Sequence, residues 1–321
     1  MNRRDTIHAL SALAASMPLR AFGQQPRRIV LLLPEAGSRE VFVDTFRAGL
    51  REQGWTEGRD VELEVRWTSD ETAEAVARSV VAGAPAVIVA PGGAVAAPLR
   101  HLGTTLPVVF VHSGDPIDAG LVQSFNRPGG NFTGMTWMSV ALVGKRLETL
   151  REIAPRLRRV AVFADPRHAG EPKERAATGE AAAALGLEVR YYPMRTPSAL
   201  EDAMASVRAE RYEALDVFPD GFTLRQRVQI AEFAKAERMM AISGWIEYAE
   251  SGFLASYGVN RTETIRRLAW YASRILRGAV PADLPVEIPS IVESAVNMKT
   301  ARVLGLTIPR SVLLRADRVI E

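Results

Sequence analysis

The residues best placed to do chemistry lie in His112-Ser113-Gly114-Asp115-Pro116, a small polar loop that stops the apolar run Val108–Val111. An apolar run ended by such a loop is the carboxyl end of a buried parallel strand. Asp115 before Pro116 has the form of a helix cap followed by a proline at the first helical position. Ligands of open α/β sheets bind at such strand ends, where helix N–H groups point outward. The machinery for bond-breaking is missing: the chain has no G-x-S-x-G elbow, no G-x-x-x-x-G-K phosphate loop and no G-x-G-x-x-G fingerprint. Its four histidines, His8, His101, His112 and His168, fall in separate segments without metal-ligand spacing. A hydrolase or a dinucleotide enzyme is therefore disfavoured, no catalytic or metal site is assigned, no cofactor is implied, and the loop reads as half of a binding cleft.

Elements that would position this loop can be read in order. Arg28–Leu33 and Pro85–Ala90 are buried strands, Val61–Trp67 is an alternating edge-like strand, and helices run over 40–53 and 70–82 and from the Pro91-Gly92-Gly93 loop to His101. With the opening stretch this is β-α-β-α-β-α-β, whose right-handed crossovers make a parallel, doubly wound sheet. The block Asn126–Met135 breaks the pattern with Pro128, Gly129, Gly130 and Gly134 and reads as a hinge or linker. The alternation then restarts. Strands are expected over Arg159–Ala164, Glu188–Tyr192, Ala214–Phe218, Met240–Ser243 and Gly252–Tyr257, then the long helix Thr262–Leu276, a proline-rich crossover over Pro281–Pro289, a strand over Ile291–Val296 and a tail near Arg315–Glu321.

The 321-residue chain, with 47% apolar and 24% charged residues, is globular in composition and long enough for about two domains. Residues 1–23 read as a signal peptide: Arg3 and Arg4, then apolar Ala9–Leu19, then Ala21-Phe22-Gly23 with small residues for cleavage before Gln24. The arginine pair hints at the twin-arginine route, although His8 interrupts the apolar segment. A cytoplasmic chain with a frayed N-terminus is the alternative. Without residues 1–23 there remain 37 basic and 36 acidic side chains, scattered along the chain, so no nucleic-acid partner is expected. There is no cysteine, and no other segment has the roughly 18 apolar residues in a row that span a membrane.

Several stretches resemble the periplasmic substrate-binding proteins of ABC transporters, tryptophan/tyrosine type. They are Phe46–Gly58 (F-R-x-G-L-x-E-x-G-W-x-E-G), Pro91-Gly92-Gly93, Val109–Pro116 (V-F-V-x-S-G-D-P), Phe125–Gly134 (F-N-R-P-G-G-N-F-T-G), Lys145–Glu152, Tyr248–Gly258 (Y-A-E-S-G-F-L-A-S-Y-G), Ile275–Glu287, Asn297–Pro309 and the terminal R-A-D-x-V-I-E. The resemblance preserves order over nearly all of Ile29–Glu321. It implies two Rossmann-like lobes with parallel doubly wound sheets, the type I periplasmic-binding architecture, joined by about three crossovers near Gly130–Met135, Gly258–Arg261 and Leu284–Ser290. Lobe one would hold 24–133 and 259–288, lobe two 134–258 and 289–321. The implied function is a periplasmic solute receptor, a monomer, that captures an amino acid or similar small molecule and presents it to membrane permease and ATPase subunits. A ligand-sensing protein feeding a signalling partner, or an enzyme on the same fold, are the alternatives.

In that architecture the ligand touches the carboxyl-end loops of both lobes. Lobe one would supply Gly37, Ser38, Gly92, Gly93, Ser113, Gly114 and Asp115, and lobe two Asp165, Asp220, Trp245 and Tyr257. Glycines admit backbone N–H groups, and helix N-termini and serine hydroxyls bind a carboxylate. An acid on the opposite lobe takes an ammonium, and Trp245 stacks on an aromatic or cationic group. Capping explains Asp115 equally well, and turn chemistry explains Asp165-Pro166 and Asp220-Gly221. Trp55 and Trp67 read as packing residues. Pro219-Asp220-Gly221 and Gly244-Trp245 depart from the family's usual loops, so ligand identity does not carry over.

Overall fold

The computed structural model describes residues 25–34, 39–137 and 140–321. The signal-peptide segment and Gly37-Ser38 lie outside them. The first lobe is built on strands β1 (Arg27–Pro34), β2 (Val61–Thr68), β3 (Val87–Pro91), β4 (Val108–His112) and β5 (Phe132–Thr136). They form an all-parallel sheet in the order β2-β1-β3-β4-β5. Apolar residues occupy both faces of β1, because both faces are covered. Ile29, Leu31 and Leu33 meet α1 (Arg39–Glu52), while Val30 and Leu32 meet α2 (Ala73–Ala82) and α3 (Gly93–His101). Phe46 of α1 is fully buried, which alone contributes about 2–3 kcal/mol.

The second lobe contains α4 (Val140–Ile153), β6 (Arg159–Ala164), α5 (Glu171–Leu185), β7 (Glu188–Pro193), α6 (Pro197–Glu210), β8 (Ala214–Val217), α7 (Gly221–Arg225), α8 (Arg227–Ala236), β9 (Met240–Ser243), α9 (Ile246–Glu250) and β10 (Ala255–Val259). Next, α10 (Arg261–Leu276) returns to the first lobe and packs on α1. The chain ends with β11 (Val292–Asn297), α11 (Met298–Leu304), α12 (Arg310–Arg315) and β12 (Arg318–Ile320), and the second sheet runs β12-β11-β10-β9-β8-β6-β7.

Three expectations are corrected. The block Asn126–Met135 is not simply a hinge, because Phe132–Thr136 is the edge strand β5, paired with β4. The expected lobe boundary at residue 133 cuts that strand, and the chain leaves the first sheet after Thr136. The second sheet has the expected parallel pairs, apart from β11, which runs antiparallel to β10. The tail contributes β12, which pairs with β11 over Arg318–Ile320. A strand that short has too few residues to show a pattern.

The third crossover lies beside β5. The Glu287 N–H donates to the Gly134 carbonyl at 3.0 Å and the Thr136 N–H to the Glu287 carbonyl at 2.9 Å. The Arg267 guanidinium of α10 holds the Glu287 carboxylate with two hydrogen bonds, of 2.8 and 2.6 Å. This bidentate pair ties the crossover to the helix.

Candidate functional site

Loops at the carboxyl ends of both sheets face each other across a cleft. After β3, Gly92 adopts a φ of 111°, which favours glycine. Its N–H donates to the Val111 carbonyl at 2.7 Å. This turn aims the first N–H groups of α3 at the cleft, a polarity that suits a negative charge. Half-buried Ser113 follows β4. From the second lobe come Asp165 after β6, Asp220 after β8 and Trp245 after β9. Together they enclose a cavity of about 240 Å³, to which Trp137 and Arg261 contribute from the crossovers.

The aromatic wall is well defined. Trp137 and Trp245 meet edge to face with centroids 5.3 Å apart, a favoured geometry for a ring pair. Trp137 packs on the cores of both lobes, and its indole N–H donates to Thr264 at 3.2 Å. The Arg261 guanidinium lies 4.5 Å over the Trp245 ring and pairs with Glu247.

The acidic residues divide by what occupies them. Asp220 caps α7: one carboxylate oxygen accepts the N–H groups of Phe222 and Thr223 at 2.6 and 2.9 Å. Its other oxygen is buried with no hydrogen-bond partner among the described residues. Burial pushes this carboxyl up from its ordinary value, against the pull of His168 and of the two N–H bonds. Asp165 is engaged otherwise. Arg167 donates to both its oxygens, the shortest bond being 2.6 Å, and the same guanidinium reaches Asp70 of the first lobe at 2.7 Å. Asp165 is thus a turn acid satisfied by its own arginine.

Gly92, Gly93, Ser113, Asp165, Asp220 and Trp245 therefore come together at the cavity. Gly114, Asp115 and Tyr257 do not. Gly114 faces the Ala169 backbone. Asp115 accepts the Ile117 N–H at 2.9 Å and pairs with Lys173. Tyr257 sits inside β10, opposite Ser294 of β11, because that strand continues to Val259. Trp67, expected to be a packing residue, also lines the cavity. Its place near the end of β2 matches that of the other site residues and was the available signal. Trp137, Arg167, His168 and Arg261 were missed because crossovers and turn interiors carry no strand-end pattern. Among the described residues no group of His, Asp and Glu could hold a metal ion.

Two histidines flank the cleft with opposite tendencies. Burial, reinforced by His168, pushes the His112 imidazole below the ordinary histidine value of 6.5, although Asp115 opposes this. Burial also works against charge on His168, but the Glu174 carboxylate 3.7 Å away, with Asp220 and Asp165, raises it above 6.5. The signs differ. The unfolded chain protonates His112 first, so its contribution to stability is present above pH 6.5 and lost as pH falls below it. The His168 contribution is present below pH 6.5 and lost as pH rises through its raised value. His112→Asn should therefore lose less stability than the wild type between about pH 7 and pH 5, read as urea midpoints. Parallel losses in the two proteins would remove His112 from this account.

The fold has counterparts. A conserved domain protein of Vibrio cholerae O1 biovar eltor superposes with a TM-score of 0.84 at 24% identity, covering 92% of this chain and 100% of that one. The ABC domain of Streptococcus pneumonia in complex with L-Trp superposes at 0.82 with 21% identity and the same two coverages. A tyrosine-binding protein of Clostridioides difficile (strain R20291) is 21% identical over 263 residues, 81% of this chain and 75% of the relative. These likenesses establish the type of fold. The sequence profile of the ABC transporter substrate binding proteins matches residues 29–320. With two lobes closing on a cavity walled by strand-end loops, and that match spanning nearly the whole chain, this protein belongs to the ABC transporter substrate-binding family.

Proposed function

We propose that the chain is an exported periplasmic receptor that captures a small amine-bearing solute with an apolar or aromatic body, and passes it to the permease and ATPase of an ABC transporter. It acts as a monomer and performs no chemistry on the solute. The observation that carries this reading is the unpaired, buried oxygen of Asp220 in a cavity walled by Trp137 and Trp245. A buried acceptor without a donor is costly unless a ligand supplies one. An ammonium supplies it, while the N–H groups at the start of α3, with Ser113, receive a carboxylate. The aromatic wall takes the ligand's body. The tyrosine-binding relative and the L-Trp complex support an amino-acid ligand.

Mass spectrometry of ligand that copurifies with the protein is the direct test. Thermal-shift screening comes next. A true ligand at about 100 times its Kd adds roughly 2.7 kcal/mol, a rise of several degrees. No hit among amino acids, purines and small carboxylates would overturn the reading. Asp220→Asn keeps the cap but removes the charge, and should weaken an amine-bearing ligand about 10- to 100-fold by isothermal calorimetry. Unchanged affinity would show that the amine sits elsewhere.

A further inference from the structure

One rim of the cleft closes by direct contact between the lobes, at the edge of the cavity. The Lys173 ammonium of α5 reaches Asp118 at 2.9 Å and Asp115 at 3.2 Å, both in the loop after β4. Next to this pair the two backbones meet. A Cβ on Gly114 would stand 2.7 Å from the Ala169 carbonyl oxygen, and one on Gly170 would stand 2.7 Å from the Ser113 carbonyl oxygen. Neither glycine adopts a positive φ, so its conformation does not require glycine. The missing side chain is what admits the opposite lobe.

We propose that Lys173, Asp115 and Asp118, with the Gly114–Gly170 seam, form a clasp that sets how readily the cleft closes. It thereby governs affinity without touching the ligand. The Arg167–Asp70 pair, 2.7 Å long, adds a second contact between the lobes at the cavity. Gly114 and Asp115 are closure residues in this assignment, although their loop looks like a ligand loop from its sequence. Apparent affinity scales with the fraction of protein in the binding-competent form, so a clasp outside the cavity changes Kd for every ligand by one common factor. The magnitude is modest. Ion pairs as exposed as these shift an equilibrium by about 1.5- to 5-fold each and are weakened by salt. A side chain in the seam acts more strongly, because the packed backbone of the other lobe cannot yield.

The consequence for affinity rests on the receptor function proposed above, but the closure itself can be read without ligand. The chain has no cysteine, so dyes on Glu62→Cys of β2 and Glu201→Cys of α6 report lobe separation by single-molecule energy transfer. Both positions are exposed, one on each lobe. The ligand-free wild type should show a closed population. Gly114→Val should abolish it, and Gly170→Ala should read the same seam from the other lobe if the valine variant fails to fold. Asp115→Asn combined with Asp118→Asn retains the capping acceptor, and should lower the closed-to-open ratio about three- to tenfold, as should Lys173→Met. About 1 M salt should do the same to the wild type and add little to the variants. A wild type that is wholly open, or a closed fraction unchanged in the seam variants or in both charge variants, would overturn the clasp. Failure to find a ligand would overturn the proposed receptor function and leave the closure measurement standing.

Discussion

Arg146→Met is expected to cost the fold about 3–5 kcal/mol, roughly 10 °C in Tm. Arg146 of α4 and Asp216 of β8 are 1% and 0% exposed, with the guanidinium Nε 3.4 Å from the carboxylate. The guanidinium also lies 5.7 Å from the centre of the Phe218 ring. Burial pushes the Asp216 carboxyl up to about 6, against the Arg146 charge that pulls it down and with the Glu174 charge adding to the rise. Methionine fills the space of the arginine stem but leaves a buried carboxylate alone. That carboxylate must then stay charged without a partner or take up a proton, and both are unfavourable at neutral pH.

The sign of the pH dependence follows. A carboxyl raised above its unfolded value of 3.8 contributes most below that value, and less as pH rises through about 6. The variant pushes the carboxyl higher still, so its deficit should be larger near pH 7 than near pH 5 in urea titrations. Adding Asp216→Leu should recover much of the loss, since a well-packed apolar pair often replaces a buried ion pair at little cost. A deficit under about 1 kcal/mol, or no recovery in the double variant, would contradict this account. The variant should also loosen the cleft, because Arg146 packs behind the Trp245 loop: a Cβ on Gly244 would lie 2.9 Å from its Nη1.

Gly134→Ala should be nearly as damaging, at about 3 kcal/mol or more. Gly134 adopts a φ of +146° inside β5, and a Cβ there would overlap the Phe110 carbonyl oxygen of β4. Strained backbone costs about 1–3 kcal/mol and overpacking a similar amount. The same residue accepts the Glu287 N–H, so the damage reaches the third crossover. Gly130→Ala is the contrast: nothing lies within 4 Å of its would-be Cβ and its φ is not positive. It should change stability by under about 0.5 kcal/mol. Equal effects at the two positions, measured by thermal melts, would mean that the β4–β5 contact is not what requires glycine at 134.

How far these features could be read from the chain depends on whether they are local. Runs such as Val108–Val111 announce a buried strand by themselves, because a strand covered on both faces must be apolar throughout. Repeating strand–helix units then led to two parallel sheets. Gly134 misled because glycine in a Pro/Gly-rich block signals a hinge as readily as a close strand approach. Asp165 looked available because the guanidinium that occupies it, two residues away, is aimed by the tertiary fold. Gly114 looked like a ligand loop because nothing in it reveals Ala169 on the other lobe. Cross-lobe contacts have no local pattern, and they decide which strand-end residues are left for a ligand.

The return of α10 to the first lobe sets an order of biogenesis. Its Ile265, Leu268, Ala269, Tyr271 and Ala272 cover Ile29, Leu31 and Phe46, which lie more than two hundred residues earlier. Lobes usually mature from the N-terminus during synthesis, but this one cannot finish until β6 to β10 of the second lobe have also been made. Until residue 276 has been made, the first sheet carries an uncovered apolar face. A nascent chain shorter than that offers this face to holding chaperones or to aggregation.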